Sequence, residues 1–222
     1  MREDFLLPSP AARQLYDTIK DYPIYDYHCH LSPREILEDR PFGNIGELWL
    51  AGDHYKWRLM RAAGVPEQLI TGEAGWRDKF FACAKAVELA AGNPLYHWTQ
   101  MELSRYFGIE TPLGRGTAPA VWEEANRVIR EEGLSPRKLI ARSRVAYIGT
   151  TDDIADPLDV HEKLRADGSF PVQVAPTFRL DAALLLNREG YAGYIDRLEK
   201  AAGLRIEGLE DFQAALIKRL DD

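Results

Sequence analysis

Cysteine is scarce in this sequence, where Cys29 and Cys83 are the two among 222 residues. Two cysteines cannot build the multiple disulfides that stabilise small secreted domains, so we expect both to be free thiols in a reducing cytoplasm. The first residues lack a long apolar stretch with a cleavage pattern, and we therefore expect no signal peptide. No apolar run reaches the length of a membrane-spanning helix. Together these absences favour a cytoplasmic protein.

Clusters of basic residues are also missing. The 28 Lys and Arg residues are outnumbered by 35 Asp and Glu residues, which gives a formal net charge of −7. Neither nucleic acid nor an acidic membrane surface is therefore an expected partner. The acidic balance does not exclude a small anionic substrate, because a few local arginines can bind one.

A pair of histidines follows a short segment that has the pattern of a β-strand. The segment 24–29 is preceded by Pro23 and followed by a Ser-Pro breaker, which favours a strand. Side chains alternate along a strand, so Asp26, His28 and His30 share one face and Cys29 points to the other. Two imidazoles in this spacing can bind one divalent metal ion such as zinc, and Asp26 could orient one of them. A pair of this kind is more often structural, so the metal interpretation needs support from the rest of the chain.

The remaining strands are predicted far along the chain. Residues 66–142 have helical patterns almost throughout, whereas 145–150 and 171–176 are apolar runs of strand length, each followed by polar residues and a helix. This order predicts parallel strands, whose carboxyl ends form the active sites of βα folds. The polar residues expected at that edge are His28, His30, Thr151, Asp152, Asp153, Thr177 and Arg179. A closed barrel needs eight strands and about 250 residues, so three strands predict the front part of one.

Several helices are predicted from their end signals. Ser9 and Pro10 mark the start of a helix with an apolar stripe, and Ser32 with Glu35 forms a capping-box pattern. A further helix is predicted over 53–63 and ends at Gly64. Three tryptophans, Trp57, Trp98 and Trp122, are interpreted as core residues.

The motifs along the chain resemble those of a known family. The segment Asp26–Leu31, which follows an N-terminal helix, is similar to the first strand of the amidohydrolase superfamily. The narrower motifs are Asp53–Arg58, Pro94–Thr99, Glu102–Gly108, Thr150–Asp153 and Pro176–Arg179. Together, in this order and over nearly the whole chain, they resemble the glucuronate (uronate) isomerase family. Gln100 stands where the resemblance leads us to expect a histidine, and Leu180 where a proline often follows.

The resemblance implies both a fold and an activity. The fold is α/β: the N-terminal portion of a distorted (β/α)8 TIM barrel, at 1–33 and 143–222, with a large helical insertion at 34–142. The activity is the interconversion of D-glucuronate with D-fructuronate, and of D-galacturonate with D-tagaturonate, by proton transfer between C1 and C2. The family's third metal ligand is an aspartate on the last strand, which this sequence does not contain. The chain alone is therefore expected to lack a complete site.

The resemblance also implies roles for individual residues. His28 and His30 are the predicted ligands of a divalent metal, with zinc as first choice and only weak binding by this chain. Tyr55 and His54 are the predicted proton-transfer groups. The structural alternative is that His54 caps the helix while the Tyr55 ring packs inside.

Two arginines are predicted to bind the uronate substrate, and each has a structural alternative. Arg179 could bind the carboxylate with its two-pronged guanidinium, or instead form an ion pair with Asp152 or Asp181. Arg58 could face the site or be a solvated helix charge. Asp152 and Asp153 are interpreted as capping the following helix.

Two other readings stay open at this point. One is a metal-dependent hydrolase of the amidohydrolase type, and the other is an inert folded fragment. The segment around His54 and Tyr55 favours the isomerase. A homo-oligomer, or association through an open sheet edge, is the expected assembly.

Overall fold

The computed structural model describes residues 7–222, whose strands form one parallel β-sheet. Its strands are β1 (Ile24–Cys29), β2 (Val145–Thr150) and β3 (Gln173–Pro176), in the order β1-β2-β3. Both pairs of neighbours are parallel, as predicted. The first two strands have the predicted bounds, and the third begins at Gln173 rather than at 171. The α/β class and the parallel sheet are therefore confirmed.

The register places the carboxyl ends of all three strands at one edge. Cys29 pairs with Thr150, and Thr150 pairs with Pro176. The strands approach closely at Gly149, where a Cβ atom would lie 2.7 Å from the main-chain oxygen of Tyr27. A glycine is required there, because no side chain can be accommodated at that distance. The residues that follow these strands consequently lie side by side.

Helices make up most of the remaining described chain. They are α1 (Pro10–Ile19), α2 (Pro33–Glu38), α3 (Ile45–Leu50), α4 (His54–Ala62), α5 (Trp76–Glu88), α6 (Pro94–Phe107), α7 (Ala118–Glu132), α8 (Pro136–Arg142), α9 (Asp159–Ala166), α10 (Asp181–Leu184), α11 (Tyr191–Ala202) and α12 (Leu209–Asp221), with a 3-10 turn at Glu67–Leu69. The two short helices α3 and α10 were not predicted. No helix within residues 7–222 has the length and apolar character needed to cross a membrane.

The predicted helix starts are present. The hydroxyls of Ser9 and Ser32 accept hydrogen bonds from main-chain N–H groups three residues later, at 3.1 and 3.4 Å. Each hydroxyl satisfies an N–H group that has no partner inside its helix. The apolar stripe of α1 is exposed, however, and includes Leu15, Ile19 and the following Tyr22. Helix α1 therefore forms from its cap and its sequence, without burying any of its own residues.

The first compact unit comprises Arg40–Arg142 with the described part of Met1–Asp21. Its core centres on Phe80, whose ring lies 5.9 Å from that of Trp49 and 5.3 Å from that of Trp122, measured between centroids. Trp57 and Trp122 pack against this core, as predicted. The prediction for Trp98 is wrong, because 54% of its surface is exposed.

The second compact unit comprises Tyr22–Asp39 and Ser143–Asp222, and it contains the sheet. Ile148 of β2 and Val174 of β3 are buried in it. A separate apolar cluster includes Leu198 of α11 and Ala215 of α12. The predicted domain bounds at 33 and 142 stay a prediction, because compactness alone does not identify an insertion.

Candidate functional site

The two histidines of the first strand lie together at its carboxyl end. The rings of His28 and His30 are 5.0 Å apart between centroids, and the angle between their planes is 86°. Both residues are exposed, whereas Cys29 between them is buried. The Thr151 hydroxyl, which follows β2, lies 3.3 Å from Nδ1 of His30. The strand thus presents two neighbouring imidazoles on the face predicted from alternation.

The Asp26 carboxylate binds main chain at the end of β1. It accepts a hydrogen bond of 3.3 Å from the main-chain N–H of His28, and its role in orienting an imidazole ring stays a prediction. The pairing of β1 with β2 is irregular between Asp26 and Cys29, and the hydrogen bond from the His28 N–H to the Asp26 carboxylate lies in this irregular stretch. Both cysteines are free thiols, as predicted. Burial, and then the nearby Asp26 carboxylate, raise the pKa of the Cys29 thiol, and burial raises that of Cys83 to about 12.

The donor set at this strand end contains two imidazoles. Within residues 7–222 no group of three or more His, Cys, Asp or Glu side chains is arranged to hold a metal ion. A catalytic zinc site ordinarily has three protein ligands and one open position. The two imidazoles are of the right chemical type for a divalent ion, but they are fewer than such a site requires.

A buried polar cluster fixes the end of β2. The fully buried Thr150 hydroxyl donates to the Asp152 carboxylate at 2.5 Å and lies 2.9 Å from Nε2 of His161 on α9. Burial alone would raise the pKa of Asp152, but hydrogen bonds from His161 and Thr150 outweigh it and lower that pKa. Asp153 accepts from the main-chain N–H of Ala155 at 2.9 Å, in a turn that ends before α9 begins. The prediction that the two aspartates cap α9 is therefore wrong.

The end of β3 leads to Arg179, which forms an ion pair on the surface. Its Nη2 and Nε atoms both lie 3.0 Å from Oδ2 of Asp181. Both side chains are largely exposed. The ion pair proposed as the structural alternative is thus present, and the substrate-binding role stays a prediction.

The first turn of α4 carries the predicted proton-transfer residues. Asp53 is its N-cap, and Oδ1 accepts from the main-chain N–H groups of Tyr55 at 2.9 Å and Lys56 at 3.0 Å. His54 is therefore not the cap, and the Tyr55 ring is 54% exposed rather than packed inside. The rings of His54 and Tyr55 are 4.4 Å apart between centroids. Both parts of the structural alternative are wrong, so the two rings form an exposed pair.

Arg58 belongs to the same exposed group. It lies one turn after His54, and its guanidinium carbon is 5.7 Å from the centroid of the Tyr55 ring. A cation over an aromatic face is attracted by the ring's negative potential. The helix start therefore presents an imidazole, a phenol and a guanidinium next to one another.

Sequence reasoning missed the buried charges behind this turn. Lys56 is 6% exposed, and its Nζ lies 2.8 Å from Oδ2 of Asp53 and 3.6 Å from Oε2 of Glu102 on α6. The ammonium also lies 5.3 Å from the centroid of the Trp49 ring. Burial opposes its charge, yet Glu102 and Asp53 raise the pKa of Lys56. The available signal was the spacing of Asp53 and Lys56, which places them on one side of the turn.

Gln100 is also part of the interior. Its Oε1 accepts a hydrogen bond of 2.8 Å from the main-chain N–H of Leu113, and the residue is buried. The glutamine found in place of the expected histidine therefore holds a loop after α6.

These elements define a class of protein: a parallel α/β chain with imidazoles, carboxylates and an arginine at the carboxyl edge of its sheet. A family model described as glucuronate isomerase matches residues 1–221. The chain belongs to the glucuronate isomerase family.

Named relatives agree with this assignment. The chain is 50% identical over 222 residues to a uronate isomerase from Caldanaerobacter subterraneus, covering 100% of this chain and 48% of the relative. It is 48% identical over 221 residues to a uronate isomerase from Bacillus subtilis, covering 99% of this chain and 47% of the relative. The chain thus spans about half the length of the curated relatives it matches.

Solved structures match the fold. A crystal structure of uronate isomerase from Thermotoga maritima superimposes with a TM-score of 0.93 at 36% identity, covering 100% of this chain and 48% of that one. A crystal structure of glucuronate isomerase from Caulobacter crescentus gives a TM-score of 0.90 at 25% identity, with the same coverage.

Proposed function

We propose that this protein takes part in uronate isomerisation, the interconversion of D-glucuronate with D-fructuronate and of D-galacturonate with D-tagaturonate. The observation that carries the proposal is the family match over residues 1–221. The relatives are about twice as long, so the proposal concerns this chain together with a carboxyl-terminal half like theirs.

Tyr55 and His54 are the proposed proton-transfer groups. Conversion of an open-chain aldose into a ketose moves a proton from C2 to C1 and another from the C2 hydroxyl to the C1 oxygen. Each transfer needs a positioned acid or base. A phenol and an imidazole can both give and accept a proton, and the two rings stand exposed in contact with each other. The exposed contact between the two rings favours His54 and Tyr55 over His97, which lies on α6.

Arg179 is the proposed ligand of the uronate carboxylate, and Arg58 is a second proposed substrate-binding residue. A guanidinium has five N–H donors, of which Asp181 engages those on Nε and Nη2 of Arg179. The Nη1 group is left to bind a substrate oxygen. Asp181 is itself 71% exposed, so a uronate carboxylate can also take its place. Arg58 provides a second guanidinium beside the Tyr55 ring.

His28 and His30 are the proposed ligands of a divalent metal, with zinc as the first choice. Bound there, the metal would hold the substrate's carbonyl and hydroxyl oxygens and stabilise negative charge on them. The contribution of this chain is to hold two imidazoles side by side, with the Thr151 hydroxyl against His30. With two protein ligands, binding is expected to be weak.

A partial (β/α)8 barrel is the proposed architecture, with the three parallel strands as its first three. Among described residues β3 pairs only with β2, so one edge of β3 offers unpaired main-chain groups. Such an edge favours association with another strand, either in a second copy or in a carboxyl-terminal half. We propose a cytoplasmic location and a small sugar acid as the partner, without nucleic acid or membrane.

The proposal is tested by joining residues 1–222 to the carboxyl-terminal half of the Thermotoga maritima relative. The joined protein is expected to convert D-glucuronate into D-fructuronate, followed as ketose formation. The matched control is the complete Thermotoga maritima protein under the same conditions. A folded joined protein that leaves both uronates unchanged would contradict the proposal.

A further inference from the structure

The exposed ring pair of α4 rests on an ionic cluster around one buried lysine, which we call the Lys56 frame: Asp53, Lys56 and Glu102. Lys56 is the buried cation, Asp53 is the N-cap of α4, and Glu102 is on α6. The frame lies within the first compact unit. None of its three members was predicted as a site residue.

The burial of the Lys56 ammonium requires an explanation, because removing a charge from water is costly. The ammonium has two carboxylates, at 2.8 Å and 3.6 Å, and the face of Trp49. Both carboxylates are partly exposed, and burial raises the pKa of Glu102. An ion pair of this kind rarely stabilises a protein more than apolar residues of similar volume, so stability alone gives no reason to prefer it.

The geometry shows what the frame controls. The two oxygens of Asp53 have separate partners: Oδ1 accepts from the N–H groups of Tyr55 and Lys56, and Oδ2 binds the Lys56 ammonium. Lys56 therefore fixes the rotation of the capping carboxylate. Glu102 in turn tethers Lys56 to α6. The chain of contacts runs from α6 through the ammonium and the cap to the main chain of Tyr55.

We propose that Lys56 and Glu102 are positioning residues, which hold the His54–Tyr55 ring pair in a single arrangement through the cap Asp53. The inference deepens the proposed function. The catalytic value of the positioning rests on that function, since proton transfer needs acid–base groups that are held in place in advance. Its test does not depend on turnover.

The test uses the ring resonances of the histidines. The chain has five histidines, so their Cε1–H signals are few enough to resolve by NMR, and a His54→Gln variant identifies that of His54. Because the Tyr55 ring lies 4.4 Å away, its ring current makes the His54 signal sensitive to their relative position. In Glu102→Gln, which keeps the shape and removes the charge, the His54 signal is expected to move and those of His28 and His161 to stay.

A matched control exists on the same helix. Arg61, at the end of α4, pairs with Glu67 on the surface at 2.5 Å. Glu67→Gln also removes one carboxylate charge from a partner of α4, and it should leave the His54 signal in place. An equal shift in this control would show that the signal responds to any change in the helix, and it would overturn the proposal.

A second variant keeps the test decisive if Glu102→Gln does not fold. The double change Lys56→Met and Glu102→Met replaces the tether with apolar side chains. It leaves Asp53 as a partly exposed cap, so no fully buried charge remains without a partner. The proposal predicts a folded protein with a displaced or broadened His54 signal. An unchanged His54 signal in either folded variant would overturn it. Absence of isomerase activity in the joined protein would count against the proposed function without altering this result.

Discussion

The two groups of predicted site residues differ in how they are held. The His54–Tyr55 pair is exposed, but the turn beneath it is fixed by the Asp53 cap and the buried Lys56. The His28–His30 pair is equally exposed, at a strand end with irregular pairing, where Thr151 lies 3.3 Å from one ring.

This difference follows from the chemistry proposed for each pair. Groups that transfer protons gain from being fixed before the substrate arrives, because the cost of ordering them has then been met by folding. Metal ligands are fixed by the metal itself once enough donors are present. We therefore expect changes behind α4 to affect stability strongly, and changes at the strand end to affect metal binding alone.

The largest effect is expected for Lys56→Met. The change leaves the partly buried carboxylates of Asp53 and Glu102 without their cation. The loss of unfolding free energy should be about 3 kcal/mol, at the low end for an uncompensated buried charge, because both carboxylates keep part of their contact with water. Denaturant unfolding followed by circular dichroism measures the loss. Arg61→Met, which breaks the exposed pair with Glu67, is the control and should cost far less. Equal losses of unfolding free energy in the two variants would mean that the Lys56 frame contributes no more to stability than an exposed ion pair.

The next effect concerns Tyr55→Phe in the protein joined to the Thermotoga maritima half. In the proposed role the phenol transfers a proton in the transition state, so its removal should lower kcat by about a hundredfold while KM changes little. Initial rates of ketose formation across substrate concentrations separate the two constants. A rise in KM with unchanged kcat would reassign Tyr55 to substrate binding.

A smaller effect separates the two functions of Asp53. Asparagine can still cap α4 but cannot form the ion pair, whereas alanine does neither. Both changes should destabilise, and Asp53→Ala should cost about 1 kcal/mol more than Asp53→Asn, since that is the typical worth of a cap. The comparison is made by denaturant unfolding of both variants. Identical losses of unfolding free energy in Asp53→Asn and Asp53→Ala would show that Asp53 stabilises the protein through its ion pair alone and not through its capping hydrogen bonds.

The smallest effect on stability is expected at the strand end. Because His28 and His30 are both exposed, changing both to alanine should alter the unfolding free energy by no more than about 0.5 kcal/mol. The same change should abolish any measurable zinc binding in equilibrium dialysis. The His97→Ala variant is the control for loss of an unrelated imidazole. Unaltered zinc stoichiometry in the double variant would remove these residues from the ligand set.

The sequence predicted those parts of the fold that depend on local signals. The strands at 24–29 and 145–150 are apolar runs between breakers, and Ser9 and Ser32 are side-chain caps, so each is specified by its neighbours in sequence. Helices α3 and α10 have six and four residues, too few to show a helical period.

The parts that were missed depend on distant residues. Lys56 stands in a polar segment that was correctly predicted as helical, but nothing in the segment indicates that this lysine is buried. Its partners Trp49 and Glu102 lie on α3 and α6, outside the segment. Trp98 is large and apolar, yet its place on α6 leaves it exposed. The main-chain hydrogen bond of Asp26 was not predicted, since the irregular pairing of β1 cannot be recognised from the strand sequence itself.

The most direct test of the account is ketose formation from D-glucuronate by the 222-residue chain alone, at high protein concentration and with added zinc. Two imidazoles and no third protein ligand among the described residues predict no turnover above background, whereas the joined protein is expected to be active under the same conditions. Robust turnover by the chain alone would contradict the account, because it would show that these residues suffice, or that two copies complete the site between them.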